Sequence, residues 1–344
     1  MPPSRGHAFS VKSILFRAFS CPIWRSAVLG ASLESPCKAC IPCDWRQANS
    51  QGVGMSWAIE DVDGMAMLRL AAPWGSALIA CQGGQVWQAH VGGRDRLYTS
   101  PQSPWQAGLP LRGGIPLCWP WLGLHPQHPE WGMHGPLRLQ PFTLLHVHQQ
   151  GQDIRARMSC ELSPELPGVM SPCTAVLHCA FTPCSLTIVL SIHNRGTHCQ
   201  PSAGAMHTYL ACDATSFSVA GLEGCAWHGP DDSDLQGRVH HNIDHCPGST
   251  RTIYDAAPRP YPLRCGDGSM RAHLQRWGSR SVVIWNPGPE HDISDLCDDA
   301  WLDFVCVETA NSGGDARSIP PGGVGCMASR WRWLDAAENM PSMR

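Results

Sequence analysis

Glu308 stands in the run "FVCVETAN", where it shares a strand face with Phe304 and Cys306 and is flanked by Val305 and Val307. A carboxyl group is costly to bury in such a run unless it has a partner, so Glu308 is a candidate acid or base. His207, in "SAGAMHTYLACD", is the histidine that could complete an acid/base pair, although a satisfied core histidine is the plainer reading of its apolar surroundings. Arg112 opens "RGGIPLCWPWLG". Gly113 and Gly114 permit sharp backbone turns, and Pro116 and Pro120 stiffen the rest of the motif. This stretch reads either as a platform that presents a guanidinium or as a buried Trp/Pro corner with Arg112 on its rim. "GMHGPLR" adds His134 and Arg138. Two arginines and a histidine on neighbouring loops suit recognition of a phosphate or carboxylate.

The elements that must carry these residues are strands. In "DIRARMSCEL", Ile154, Ala156, Met158, Cys160 and Leu162 alternate with Arg155, Arg157, Ser159 and Glu161, and "SLTIVLSIHN" repeats the pattern with Leu186, Ile188, Leu190 and Ile192. Period-two alternation of this kind predicts half-buried antiparallel strands. "SALIACQ", "TLLHVH", "SFSVAGL", "SVVIWNP" and "WLDFVCVE" are further strand candidates. Thirty-four glycines and 30 prolines supply turns, and no long amphipathic helix is evident. The fold class is all-β, an antiparallel β-sandwich over residues 55–333, with 334–344 as a tail.

Residues 1–54 differ in composition. They hold both lysines, Lys12 and Lys38, and six basic residues against two acidic ones. Arg17 and Arg25 interrupt the apolar run that a signal peptide needs. The segment reads as a disordered extension or as sequence upstream of a true start at Met55. Its Cys37, Cys40 and Cys43 lack a well-spaced fourth ligand, so no metal site is assigned.

Composition excludes several classes. A formal net charge of −3 invites neither nucleic acid nor an anionic membrane surface, and no apolar run reaches the ~18 residues of a membrane span. The 18 cysteines are mostly scattered through apolar runs, where they read as small buried hydrophobes in a reducing cytoplasm. The nucleotide-loop, serine-hydrolase and zinc-protease motifs are all absent. A monomer that uses neither metal nor cofactor is the expectation.

Taken in order, "RGGIPLCWPWLG", "HGPLR", "AMHTYL" with "SVAGLEG", "WNPGP" and "FVCVETAN" resemble the glucose-6-phosphate 1-epimerase branch of the aldose 1-epimerase family, from about Ala77 to Asn311. The resemblance implies a galactose-mutarotase-like sandwich that interconverts the anomers of a hexose 6-phosphate. It also implies that Arg112 and Arg138 contact the phosphate, that His134 lines the site, that His207 is the general acid and that Glu308 is the general base. Glu308 would then be ionised at neutral pH, from a reference pKa of about 4.3, and would hold the His207 pKa up. The chain departs from the family pattern at Pro136 and Leu137, at Met133, and at Arg251, which replaces the aspartate of a D-R-x-Y motif. Arg251 as a substrate-binding residue would either alter hexose specificity or add a third phosphate contact. A non-catalytic sugar-phosphate sensor on the same fold is the alternative function.

Overall fold

Alternation is realised most plainly in Asp153–Leu162, where side chains switch between buried and partly exposed at nearly every step. The computed structural model describes residues 54–229, 236–244, 248, 250–254, 259–266 and 270–338. The expected extension over 1–54, Gly54 excepted, and its three cysteines lie outside the described residues. All the strand candidates read from the sequence fall within or overlap strands.

Two large antiparallel sheets form a sandwich. One has nine strands, with Val324–Trp333, Ser185–Asn194, Cys173–Thr182, Asp153–Leu162 and Thr143–Gln150 running in that order to one edge. The other has eight strands: seven follow one path that runs through Thr250–Tyr254, Ser281–Trp285, Phe304–Asn311 and Gly204–Met206 to an edge at Leu117–Cys118, and the eighth, Tyr209–Ala211, pairs with Phe304–Asn311 off that path. Their inner faces meet in one apolar core, to which the eight-stranded sheet contributes Met206, Val282, Ile284, Val305 and Val307. The nine-stranded sheet brings Met158, Leu177, Ile188, Leu190 and Trp331 to it. A five-stranded meander from Ser56–Val62 to Arg94–Asp95 precedes them.

Phe304–Asn311 departs from simple alternation, because all of its residues except Asn311 are buried. Val305 and Val307 enter the main core, whereas Phe304 and Cys306 pack on the opposite face with Tyr209, Leu296 and Ala300. Glu308 lies on that opposite face, as the sequence spacing requires.

Packing continues past the expected end at Trp333. A short helix, Leu334–Glu338, buries Ala336, and Asp335 pairs with the buried Arg96 at 2.7 Å. Arg96 also lies over the Trp333 ring. The first part of the supposed tail therefore belongs to the sandwich, because an otherwise uncompensated buried guanidinium depends on it.

The glycines of "RGGIPL" allow the chain to pass against two neighbours. Gly113 has φ +120°, and a Cβ there would fall 2.5 Å from the Tyr98 carbonyl oxygen, while one on Gly114 would fall 2.3 Å from that of Val86. Gly123, at the end of the same motif, has φ +74°, but a Cβ added there would meet nothing within 4 Å. Gly113→Ala should therefore lower the unfolding free energy by about 2–4 kcal/mol, from backbone strain plus overpacking. Gly123→Ala should cost only about 1 kcal/mol, from its backbone alone. Equal losses in denaturant titrations would contradict the close-approach reading of Gly113.

Candidate active site

Strand register brings the two suspected catalytic residues together. Met206 pairs with Thr309 and Tyr209 with Cys306, so counting inward from both pairs sets His207 opposite Glu308. Between these pairs the chain kinks: the His207 amide donates to the Pro116 carbonyl, and the Val307 amide to that of Thr208. His207 Nε2 lies 3.4 Å from Glu308 Oε1. That is electrostatic contact, longer than a well-formed hydrogen bond. His207 is 7% exposed and Glu308 2%. His207 Nδ1 and Glu308 Oε2 are buried with no protein hydrogen-bond partner. Two such atoms on one facing pair are uncommon in a purely structural core.

The RGGIPL stretch holds Arg112 beside this pair. The Arg112 amide donates to Ser103 Oγ, its Nε to Asp295 Oδ1 at 2.9 Å and its Nη1 to the Tyr209 hydroxyl at 3.0 Å. Burial works to lower the basicity of this guanidinium, but Tyr209 and Asp295 outweigh it, so Arg112 stays charged. Gly135, with φ +70°, lets the HGPLR stretch press against the Trp119 carbonyl. His134, next to it, holds a left-handed φ of 69° despite its side chain. Its Nδ1 accepts from the Gly123 amide at 3.1 Å, and its ring meets His207 edge-on at 5.4 Å. Arg138 Nη2 donates to the Met133 carbonyl at 2.9 Å, and its Nε is buried without a partner.

Four of the six residues singled out from the sequence thus surround the His207/Glu308 contact or form it: Arg112, His134, His207 and Glu308. Arg138 is close enough that its charge lowers the pKa values of both histidines. Arg251 lies on Thr250–Tyr254, its backbone paired with Ile284, which pairs in turn with Val307. The side chain of Arg251 lies outside the described residues. Sequence reasoning assigned no role to Asp295 or Tyr209. Tyr209 sat in a quoted motif, and the acid-rich "HDISDLCDD" was the one hint that an arginine partner lay in that loop.

The shifts at both groups run against the protonation expected from the sequence. Burial pushes Glu308 well above the usual carboxyl range. Burial, reinforced by His134, Arg112 and Arg138, pushes His207 well below 6.5. Both shifts favour the uncharged pair, with the proton on Glu308. His134 is likewise driven down to about 3 by burial and then by Arg138 and Arg112, and is neutral. Burial thus favours a neutral acid/base pair, with Arg112 and Arg138 near enough to act on His207. Such a site can pass protons to and from a ligand and can attract an anion. Among the described residues no cluster of histidine, cysteine, aspartate and glutamate is placed to hold a metal ion, and no helix is long and apolar enough to cross a membrane.

Comparison with known proteins agrees with this architecture. No family model matches the chain. A protein of Escherichia coli named "putative glucose-6-phosphate 1-epimerase" is 28% identical over 263 residues, covering 72% of this chain and 84% of the relative. A Salmonella typhimurium protein of the same name is 29% identical over 271 residues, with the same coverage. Among solved structures, the Salmonella typhimurium "putative mutarotase (YeaD)" superposes with a TM-score of 0.74 at 21% identity, over 83% of this chain and 96% of that one. A galactose mutarotase-like protein from Clostridium acetobutylicum gives 0.60 at 12% identity, over 82% and 99%. The ordered motifs, the sandwich and these relatives agree in likening the chain to the aldose 1-epimerase family.

Proposed function

We propose that the chain is an isomerase that interconverts the α and β anomers of a hexose 6-phosphate, with D-glucose 6-phosphate as the first candidate. The observation that carries this reading is the buried His207/Glu308 contact, whose two unpartnered polar atoms lie beside Arg112. The names of the sequence relatives support the choice of substrate.

In this reading Glu308 takes the proton from the anomeric O1 hydroxyl while His207 protonates the ring oxygen. The C1–O5 bond breaks and a C1 carbonyl forms. Rotation about C1–C2 then presents the other carbonyl face. On closure the ring hydroxyl attacks C1, His207 recovers its proton and Glu308 returns the other to O1. No net proton is consumed. The phosphate binds Arg112 and Arg138, and Arg251 is a further candidate contact.

The phosphate also bears on protonation. Arg112 and Arg138 help to hold His207 neutral, and a phosphate dianion bound to them offsets their charge. The shared proton then shifts from Glu308 toward His207, where the acid role needs it. A sugar without the phosphate lacks this shift.

Each positioned acid or base typically contributes ~10²–10⁴ in rate. Glu308→Gln and His207→Asn should each lower kcat for glucose 6-phosphate by that order while inorganic phosphate still binds. Near-normal turnover in either variant removes that residue from the mechanism, and a wild-type chain that binds phosphate without accelerating anomerisation supports the sensor instead.

Truncating a buried charged partner commonly costs ~2–5 kcal/mol of binding. Arg112→Ala should accordingly raise KM for glucose 6-phosphate by roughly 10²-fold and for free glucose far less. Equal increases for the two sugars would count against a phosphate role.

The depressed His207 pKa also fixes the sign of a pH effect. Adding a second proton to the pair inactivates it, and this requires a pH well below 6.5. The acid limb of kcat/KM, measured with free glucose so that no substrate phosphate titrates, should fall below that of an ordinary histidine. A limb centred between pH 6 and 7 contradicts the burial argument.

A further inference from the structure

We propose that Tyr209 is a positioning residue that joins the two halves of the site: its hydroxyl fixes the guanidinium that receives the phosphate, and its ring fixes the imidazole that delivers the proton. The inference rests on the phosphate and acid assignments made above and adds a residue they leave without a role.

The geometry is specific on both sides. His207 and Tyr209 are two residues apart, across the kink between Gly204–Met206 and Tyr209–Ala211, and the kink leaves their side chains together. Their rings lie nearly parallel, 12° apart with centroids at 4.8 Å. Trp285 closes the cluster edge-on, at 5.8 Å from the His207 ring and 6.2 Å from that of Tyr209. The Tyr209 backbone is pinned as well, its amide donating to the Gly114 carbonyl and its carbonyl accepting from the Tyr98 amide. The ring therefore has little freedom, and at 2% exposure it is shut off from water.

A tyrosine placed only to fill this space would serve equally well as phenylalanine, since Phe304 and Trp285 supply apolar neighbours. The hydroxyl, however, accepts from Arg112 Nη1 at 3.0 Å while Asp295 Oδ1 accepts from Nε at 2.9 Å. A guanidinium carries five N–H donors in a planar fork. Two are thus committed to the protein from different sides, which sets the plane of the fork and leaves the Nη2 edge for an oxyanion. Tyr209 consequently touches the phosphate end through its oxygen and the proton-transfer end through its ring. Neither contact makes it a reacting group.

The two functions separate by substitution in the full chain. Tyr209→Phe keeps the stack and removes the acceptor. It should weaken binding of inorganic phosphate, read by calorimetry, by roughly 10–150-fold, the scale of one hydrogen bond to a charged group. KM for glucose 6-phosphate should rise by a similar factor, and any change with free glucose should be at least fivefold smaller. Asp295→Ala should weaken phosphate binding too, because it removes the acceptor on the other side of the fork. Tyr209→Leu removes the stack as well and should lower kcat on both sugars by a further tenfold or more. If Tyr209→Phe leaves phosphate affinity intact, or impairs both sugars equally, the positioning role is overturned. A wild-type chain that binds no inorganic phosphate, or whose affinity does not change in Arg112→Ala, instead overturns the phosphate reading on which this inference stands.

Discussion

A carboxyl group and an imidazole held 3.4 Å apart, both shut off from water, set the terms for everything around them. Each group is far less costly to bury neutral than charged, so the low dielectric that makes the site dry also decides where its proton rests. The contact depends on register. A slip of one residue between Phe304–Asn311 and the segment through His207 would turn Glu308 into the apolar core beside Val305 and Val307. Pairing continues on both sides of the contact, Val283 with Glu308 on one flank and Tyr209 with Cys306 next along the strand. The sheet therefore aligns the reactive pair before any ligand arrives.

The cations reach this pair by a different device. Arg112 comes from irregular backbone and Arg138 from a single 3-10 turn, Leu137–Leu139, and the stretches that carry them approach other backbone closely at Gly113, Gly114 and Gly135. His134 holds a left-handed conformation between them in sequence, a local strain that the surrounding hydrogen bonds sustain. Positive charge is thus delivered by two arginine side chains. It lies near enough to depress both histidines, so an arriving dianion acts on binding and on protonation through the same two side chains.

Much of the fold was legible because a half-buried strand writes its faces into alternating residues, as Asp153–Leu162 does. Glu308 was legible for the opposite reason, since a carboxyl group in an apolar strand needs an explanation. The facing of His207 and Glu308 was not legible. It arises from register between segments about a hundred residues apart, which local spacing does not encode. Asp295 was hidden for the same reason, 183 positions from the arginine it holds. The protonation of the pair is not legible either, because burial and the two arginines that oppose the neighbouring carboxyl are set by the fold. The helix Leu334–Glu338 escaped notice because a single turn carries almost no periodic signal, and its anchor, Arg96, lies far away in sequence.

The most direct measurement is magnetisation exchange between the α and β anomeric protons, followed by NMR in equilibrated glucose 6-phosphate and in glucose, with and without the full chain. Faster α–β exchange for the phosphate ester, with a much smaller effect on the free sugar, is the predicted result. Exchange at the spontaneous rate for both sugars, in the presence of folded protein, would contradict an anomerase built on His207 and Glu308.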